Sequence, residues 1–159
     1  MISGSGLSWT RVAALSLAAL TATVVPLPGW LALARPDFVA LVVLWLALLA
    51  PRSTGLLYAW SMGLALDAFR GVLLGQHALA LVLIAWIALR LRLQVRAWPL
   101  LQQTAVVFAL LWLDEFVIFW IDGVSGHPVT DWIRWLRVPV GAACWPLAAR
   151  VFARTTTRG

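Results

Sequence analysis

Lysine is absent from this chain, and all twelve of its basic residues are arginine. That bias fits the codon usage of a GC-rich genome and is given no functional weight. Charge of either sign is scarce, at 11% of 159 residues, where soluble chains carry about 25%. There is a single cysteine, Cys144. It allows no intrachain disulfide, so cysteine usage says nothing of the redox compartment. The two histidines, His77 and His127, are far apart, with no thiol or carboxylate at ligand spacing beside either. A metal site is therefore not expected, and no cofactor is implied. No serine or cysteine has a general base as neighbour. No glycine loop is followed by the lysine and hydroxyl residue that phosphate binding needs. Catalysis has no visible carrier, and the chain reads as a non-enzyme.

Apolar residues fill the space that charge leaves. They make up 63% of the sequence, and the mean hydropathy is +0.93. A chain of this length holds about six membrane spans of roughly 20 residues. No length remains for a soluble catalytic domain. The expected architecture is all-α: one integral membrane domain over 1–159, built as a bundle of about six transmembrane helices. The net charge of +6 fits positive loops facing anionic lipid heads. It does not suggest nucleic acid, because no basic cluster is interleaved with exposed aromatics.

The apolar runs fall at about 9–33, 38–50, 54–69, 72–90, 102–122 and 132–152. The first contains Pro26, Pro28 and Gly29, a spacing that no regular helix carries unbroken. Its helix is expected to end near Val25, with Pro26–Leu33 interfacial or re-entrant. Arg11 precedes a run without a small-residue cleavage site, so the first helix is read as retained. The second run is short and bounded by Pro36 and Pro51. Runs three and four meet at Arg70-Gly71. Arg90, Arg92, Arg96 and Pro99 form the next link, and Asp122 to Pro128 the one after.

Six spans place Arg11, Arg52, the Arg90/Arg92/Arg96 group and the Arg150/Arg154/Arg158 group on one side. The other side holds Arg35, Arg70, Arg134 and Arg137, offset by Asp37, Asp122 and Asp131. The positive-inside rule then puts both termini in the cytoplasm. Trp9, Trp30, Trp98, Trp132 and Trp135 fall where interfacial belts are expected. Trp45, Trp86 and Trp112 lie deeper and are expected to pack.

The richest stretch is Gly63 to Leu79. It sets Asp67, Arg70, Gly63, Gly71 and Gly75 close together in apolar surroundings, where each charge is costly. Asp67 and Arg70 share a helical face and can pair. Gly71-x-x-x-Gly75 matches the small-xxx-small pattern that lets helices approach closely. Ala14, Ala18 and Ala22 build a smooth face on the first helix, expected to pack within the chain. Asp114-Glu115 lies near the middle of the fifth run. The two side chains diverge by about 100° on a helix, so at least one is expected to face the bundle interior. They serve either proton or ion transport or a structural, hydrogen-bonded role.

At these residues the chain resembles the rod-shape-determining MreD family. The likeness lies in Gly63-x-x-Leu66-Asp67-x-x-x-Gly71-x-x-Leu74-Gly75-Gln76-His77-Ala78-Leu79. Pro26-x-Pro28 followed by Arg35-Pro36-Asp37 resembles the family's first link. Trp98 to Gln102-Gln103, Phe119-Trp120 and Trp145-Pro146 agree as well. The resemblance runs from Pro26 to Arg150, and the Asp114-Glu115 doublet has no place in it. It implies a scaffold of the bacterial inner membrane that binds the bitopic protein MreC. Through MreC it would couple MreB filaments to the RodA glycosyltransferase and its transpeptidase partner in peptidoglycan synthesis. Arg35, Pro36, Asp37, Gly63, Asp67, Arg70, Gly71 and Gly75 would then be packing or partner-contact positions. The resemblance also implies a fold like the S components of energy-coupling-factor importers. A vitamin-binding S component is accordingly the alternative function, although few polar residues look placed to form its pocket.

Overall fold

The computed structural model describes residues 8–25, 28–29, 35–50, 55–126 and 132–156. Among the described residues, six α-helices make up the fold. These are α1 (Trp9–Val24), α2 (Phe38–Leu49), α3 (Leu56–Arg70), α4 (Gln76–Ala97), α5 (Leu100–Val124) and α6 (Arg137–Thr156). A short 3-10 segment, Trp132–Leu136, leads into α6. The expected Pro26–Leu33 segment, Pro51, Arg52, Trp30, His127, Asp131 and Arg158 lie outside the described residues, save for Pro28 and for Gly29, which lies in a turn.

Helix α2 is the axis of the bundle. Every residue from Val39 to Leu48 is buried, as a helix apolar on all sides should be. It packs on α1, α3, α4 and α6. Its shortness follows from that position, since it is enclosed by longer neighbours. Asp37 starts it as N-cap: its Oδ1 accepts from the Val39 and Ala40 amides at 3.1 and 3.0 Å, satisfying two orphan donors of the first turn.

The α3–α4 hairpin is the tightest pairing. Gly63 faces α4 so closely that a Cβ there would overlap the Ala78 backbone. Gly71 closes α3 in the left-handed region, at φ 63°. Gly75 precedes α4 at φ 102°. Neither has anything near the place of a Cβ. The Gly71/Gly75 pair is therefore a turn device and not the helix-packing face that its spacing suggested. The reason is local: the chain must reverse within the five residues between Arg70 and Gln76, and only glycine takes these dihedrals at little cost.

Helix boundaries depart from the apolar runs in one instructive place. The run at 72–90 begins as a helix only at Gln76 and continues to Ala97. Arg90, Arg92 and Arg96 thus lie on the last two turns of α4 and not in a link. Cations there complement the helix dipole, and the Arg90 guanidinium lies 5.4 Å from the Trp86 ring centroid.

Three packing expectations also change. Trp45 is buried, but Trp86 and Trp112 are 47% and 45% exposed. Trp112 stacks on Phe116 along the outside of α5. Ala14 and Ala18 face outward. The inward stripe of α1 is Val12, Ser16 and Ala19, because the Ser16 hydroxyl meets the Tyr58 hydroxyl of α3 at 2.6 Å.

Candidate functional site

Charged and polar side chains converge at one end of the bundle. This end gathers the C-termini of α1, α3 and α5 and the N-termini of α2, α4 and α6, as alternating helices require. They enclose a cavity of about 300 Å³ lined by Arg35, Asp37, Arg70, His77, Glu115, Asp122, Arg134 and Arg137, among others.

The centre of the cluster is Asp67, fully buried on α3. Its Oδ1 accepts from both the backbone N–H and the ring Nδ1 of His77, at 3.0 and 2.7 Å. Its Oδ2 accepts from the Gly75 amide at 2.8 Å. One carboxylate thus satisfies the two amides that enter α4. Such a buried charge is tolerable only because it is so well hydrogen-bonded.

Arg70 does not pair with Asp67. It extends past it, and its NH1 meets His77 Nε2 at 2.7 Å. Its NH2 reaches Asp37 Oδ2 at 3.3 Å. The guanidinium can only donate, so Nε2 is the accepting nitrogen and Nδ1 carries the proton toward Asp67. A neutral His77 therefore bridges the two charges that the spacing of Asp67 and Arg70 had joined directly. The helical offset brings both to one face, but the α4 amides claim the carboxylate first. The α2 cap claims the guanidinium.

Asp37 closes the chain of contacts. Burial pushes its carboxyl up, but the Arg70 guanidinium, the Ala40 amide and the more distant charge of Arg137 outweigh that effect and hold it below the usual 3.8. Arg35, two residues earlier, donates to the carbonyls of Ala22, Thr23 and Val25. These are orphan acceptors of the α1 C-terminus, where a cation is favourable.

The opposite wall belongs to α5. Glu115 and Asp122, seven residues apart, lie along one side of the helix and share Arg134. Its Nε donates to Glu115 Oε1 at 2.5 Å and its NH1 to Asp122 Oδ2 at 2.9 Å. Gln76 ties α4 to the same wall through Asp122 Oδ1, at 2.6 Å. Both members of the Asp114-Glu115 doublet are buried, yet they differ. Glu115 faces the cavity and is paired, whereas Asp114 Oδ1 has no hydrogen-bond partner.

Asp67, Arg70, Asp37 and Arg35 are thus brought together, and Glu115 joins them. Pro36 lines the same cavity. Asp67 itself, Gly63, Gly71, Gly75 and Asp114 do not line it. Sequence reading gave no role to His77, Gln76, Asp122, Arg134 and Arg137. One available signal was that all the charges among them fall on the same side of the six-span topology as Asp37 and Arg70. Among the described residues, no group of three or more metal-ligating side chains forms.

Fold and site define a class: a compact all-α bundle of apolar helices with a buried, cross-bonded polar end. Two of its helices, α4 and α5, are long and apolar enough to cross a membrane. The chain belongs to the family of the rod shape-determining protein MreD, whose family model matches residues 3–153. No solved structure matches the chain.

Proposed function

We propose that this protein is a non-enzymatic membrane scaffold of the cell-elongation machinery, working in rod-shape determination through helix–helix contacts with an MreC-like bitopic partner. The family match over nearly the whole chain carries the reading. MreB filaments, the RodA glycosyltransferase and its transpeptidase partner are then reached through that partner.

The chemistry of the site agrees. The carboxylates of the cavity are tied to amides, to histidine or to arginine, so none stands free as a general acid or base. Such cross-bonding holds helix ends in register. In this reading Asp67, His77, Arg70, Asp37 and Glu115 brace the end of the bundle, while the contact surface lies on outward faces. Ala14 and Ala18 offer one smooth strip of such surface.

All six helices span the inner membrane in the proposed arrangement, as one domain with both termini cytoplasmic. The exterior supports this. Leu57, Leu79, Leu93, Leu101 and Trp120 are each more than 60% exposed, and only 39% and 33% of the apolar windows of α4 and α5 are buried. So much exposed apolar surface suits lipid and not water. The arginines of α4 then face the cytoplasm, and the polar cavity opens toward the periplasm.

The testing experiment is gentle-detergent purification from native cells, with the co-purifying proteins identified by mass spectrometry. Recovery of an MreC-like bitopic protein supports the scaffold. Its absence, with the bundle intact, overturns it.

A further inference from the structure

Four arginines and three carboxylates line the cavity. A fourth carboxylate, Asp67, lies behind His77 and is spent on that ring and on the amides that enter α4. Three of the arginines are committed. Arg35 caps α1, Arg70 is held by His77 and Asp37, and Arg134 is held by Glu115 and Asp122. Arg137 makes no hydrogen bond and no close ion pair among the described residues, and its Nε is wholly buried without a partner. It is also the first residue of α6, where the helix dipole disfavours a cation. A part-buried guanidinium with an unbonded donor on a cavity, whose nearby carboxylate Asp37 acts on it only through space, can take an anion there.

The surroundings of the cavity point to the source of that anion. Its lining is mainly polar, but the same end of the bundle exposes large apolar side chains. Val24 ends α1, Leu74 precedes α4, Val124 ends α5, and Trp132 and Leu136 lie just before α6. Each is more than 50% exposed. A polar recess beside apolar surface suits an amphipathic molecule. The volume is at the lower end for small-molecule sites, so it admits a head group and leaves the tails outside. The planar guanidinium fork matches phosphate oxygens bidentately.

We propose that the cavity binds the phosphodiester head group of a membrane phospholipid through the Arg137 guanidinium. The inference rests on the membrane placement proposed above, but not on any partner protein. The bound phosphate would complete the donor set of Arg137. The acyl chains would lie along the apolar rim.

The test uses the full chain, purified in a neutral detergent, and follows its thermal melting midpoint. Three probes are compared: dioctanoyl phosphatidylglycerol, dioctanoylglycerol and glycerol phosphate. A ligand that binds only the folded state raises the midpoint with its concentration. Phosphatidylglycerol is expected to do so, with the other two having little effect. In Arg137→Gln the concentration needed should rise about tenfold, the loss of a charge-assisted hydrogen-bonded pair. Arg137→Lys keeps the charge without the fork and should fall between.

Equal effects of phosphatidylglycerol and dioctanoylglycerol would overturn the site, because the phosphate would then be irrelevant. An equal response to glycerol phosphate would overturn the lipid as source and leave a free anion. Stabilisation seen only with a co-expressed bitopic partner would assign Arg137 to a partner carboxylate instead. The wild-type comparison does not depend on either variant folding. Release of the chain from native membranes by alkaline carbonate would reject the membrane placement, a failure separate from that of the site.

Discussion

Asp67 Oδ1 accepts both the backbone amide and the ring Nδ1 of His77, at 3.0 and 2.7 Å, so one buried oxygen fixes both the start of α4 and the tautomer of its second residue. Removing that carboxylate strands several donors at once. Asp67→Ala should cost about 3–5 kcal/mol, the usual loss when one partner of a buried charged network is deleted. Asp67→Asn should cost less, because its amide oxygen still accepts from His77 while its NH2 opposes the Gly75 amide. Unfolding midpoints in detergent measure both. Equal losses for the two variants would show that the bonds to His77, which Asn keeps, contribute nothing.

Gly63 and Gly71 of the same stretch should separate by mechanism. Gly63→Ala places a methyl into the Ala78 backbone, which cannot yield as a flexible side chain would. A loss of about 1–3 kcal/mol is expected from overpacking, with α3 and α4 pushed apart. Gly71→Ala meets open space, and its cost of about 1–2 kcal/mol comes from the left-handed backbone alone. Asn should therefore recover part of the loss at Gly71 and none at Gly63. Parallel melts of the four variants check this.

Arg134 and Arg137 are three residues apart and should behave differently in lipid-free detergent. Arg134→Met leaves the buried Glu115 and the part-buried Asp122 without their shared cation, at a cost of about 3 kcal/mol. Arg137→Met removes a guanidinium that no side chain hydrogen-bonds and that acts on Asp37 only through space, and should cost less than about 1 kcal/mol. A double-mutant cycle of Arg134→Met with Glu115→Gln should show coupling of about 1–3 kcal/mol. Additive losses would mean that the 2.5 Å contact has no energetic weight.

Acid should weaken the junction of α1 and α2. Arg70, the Ala40 amide and the more distant charge of Arg137 hold the folded Asp37 carboxyl below 3.8. A depressed folded value contributes stability above the ordinary carboxylate range, and the contribution is lost as pH falls below it. Asp37→Asn should flatten the acid limb of a stability–pH curve between pH 5 and 3, a window of about two units around that range. An unchanged limb would place the acid sensitivity elsewhere.

Much of the fold was legible because lipid-facing helices announce themselves by length and apolarity. The end of α1 beside Pro26, the Asp37 start of α2 and the Trp98-Pro99 break before α5 all follow local rules of proline and capping. Where local rules compete, reading along the chain misleads. The turn before Gln76 looks apolar enough to be helix, since Val72, Leu73 and Leu74 occupy it. The arginines of α4 look like a link because they are charged. The site was half legible. Asp67, Arg70 and the Arg35-Pro36-Asp37 link stood out as charges in apolar surroundings. Their pairing did not, because Asp67 prefers amides ten residues away and Arg70 a cap thirty-three residues away. Arg134 reaches Glu115 across nineteen residues, a contact that only the packing of α5 against the segment before α6 reveals.

The scaffold reading is tested most directly by what the intact protein brings with it from its own membrane. Gentle-detergent isolation of the tagged chain, followed by mass spectrometry, is expected to recover an MreC-like bitopic protein at comparable amount. That partner should persist in Arg137→Gln, since the lipid cavity and the partner surface are separate in this account. Recovery of paired ATPases with a coupling membrane subunit, and no bitopic partner, would contradict the scaffold.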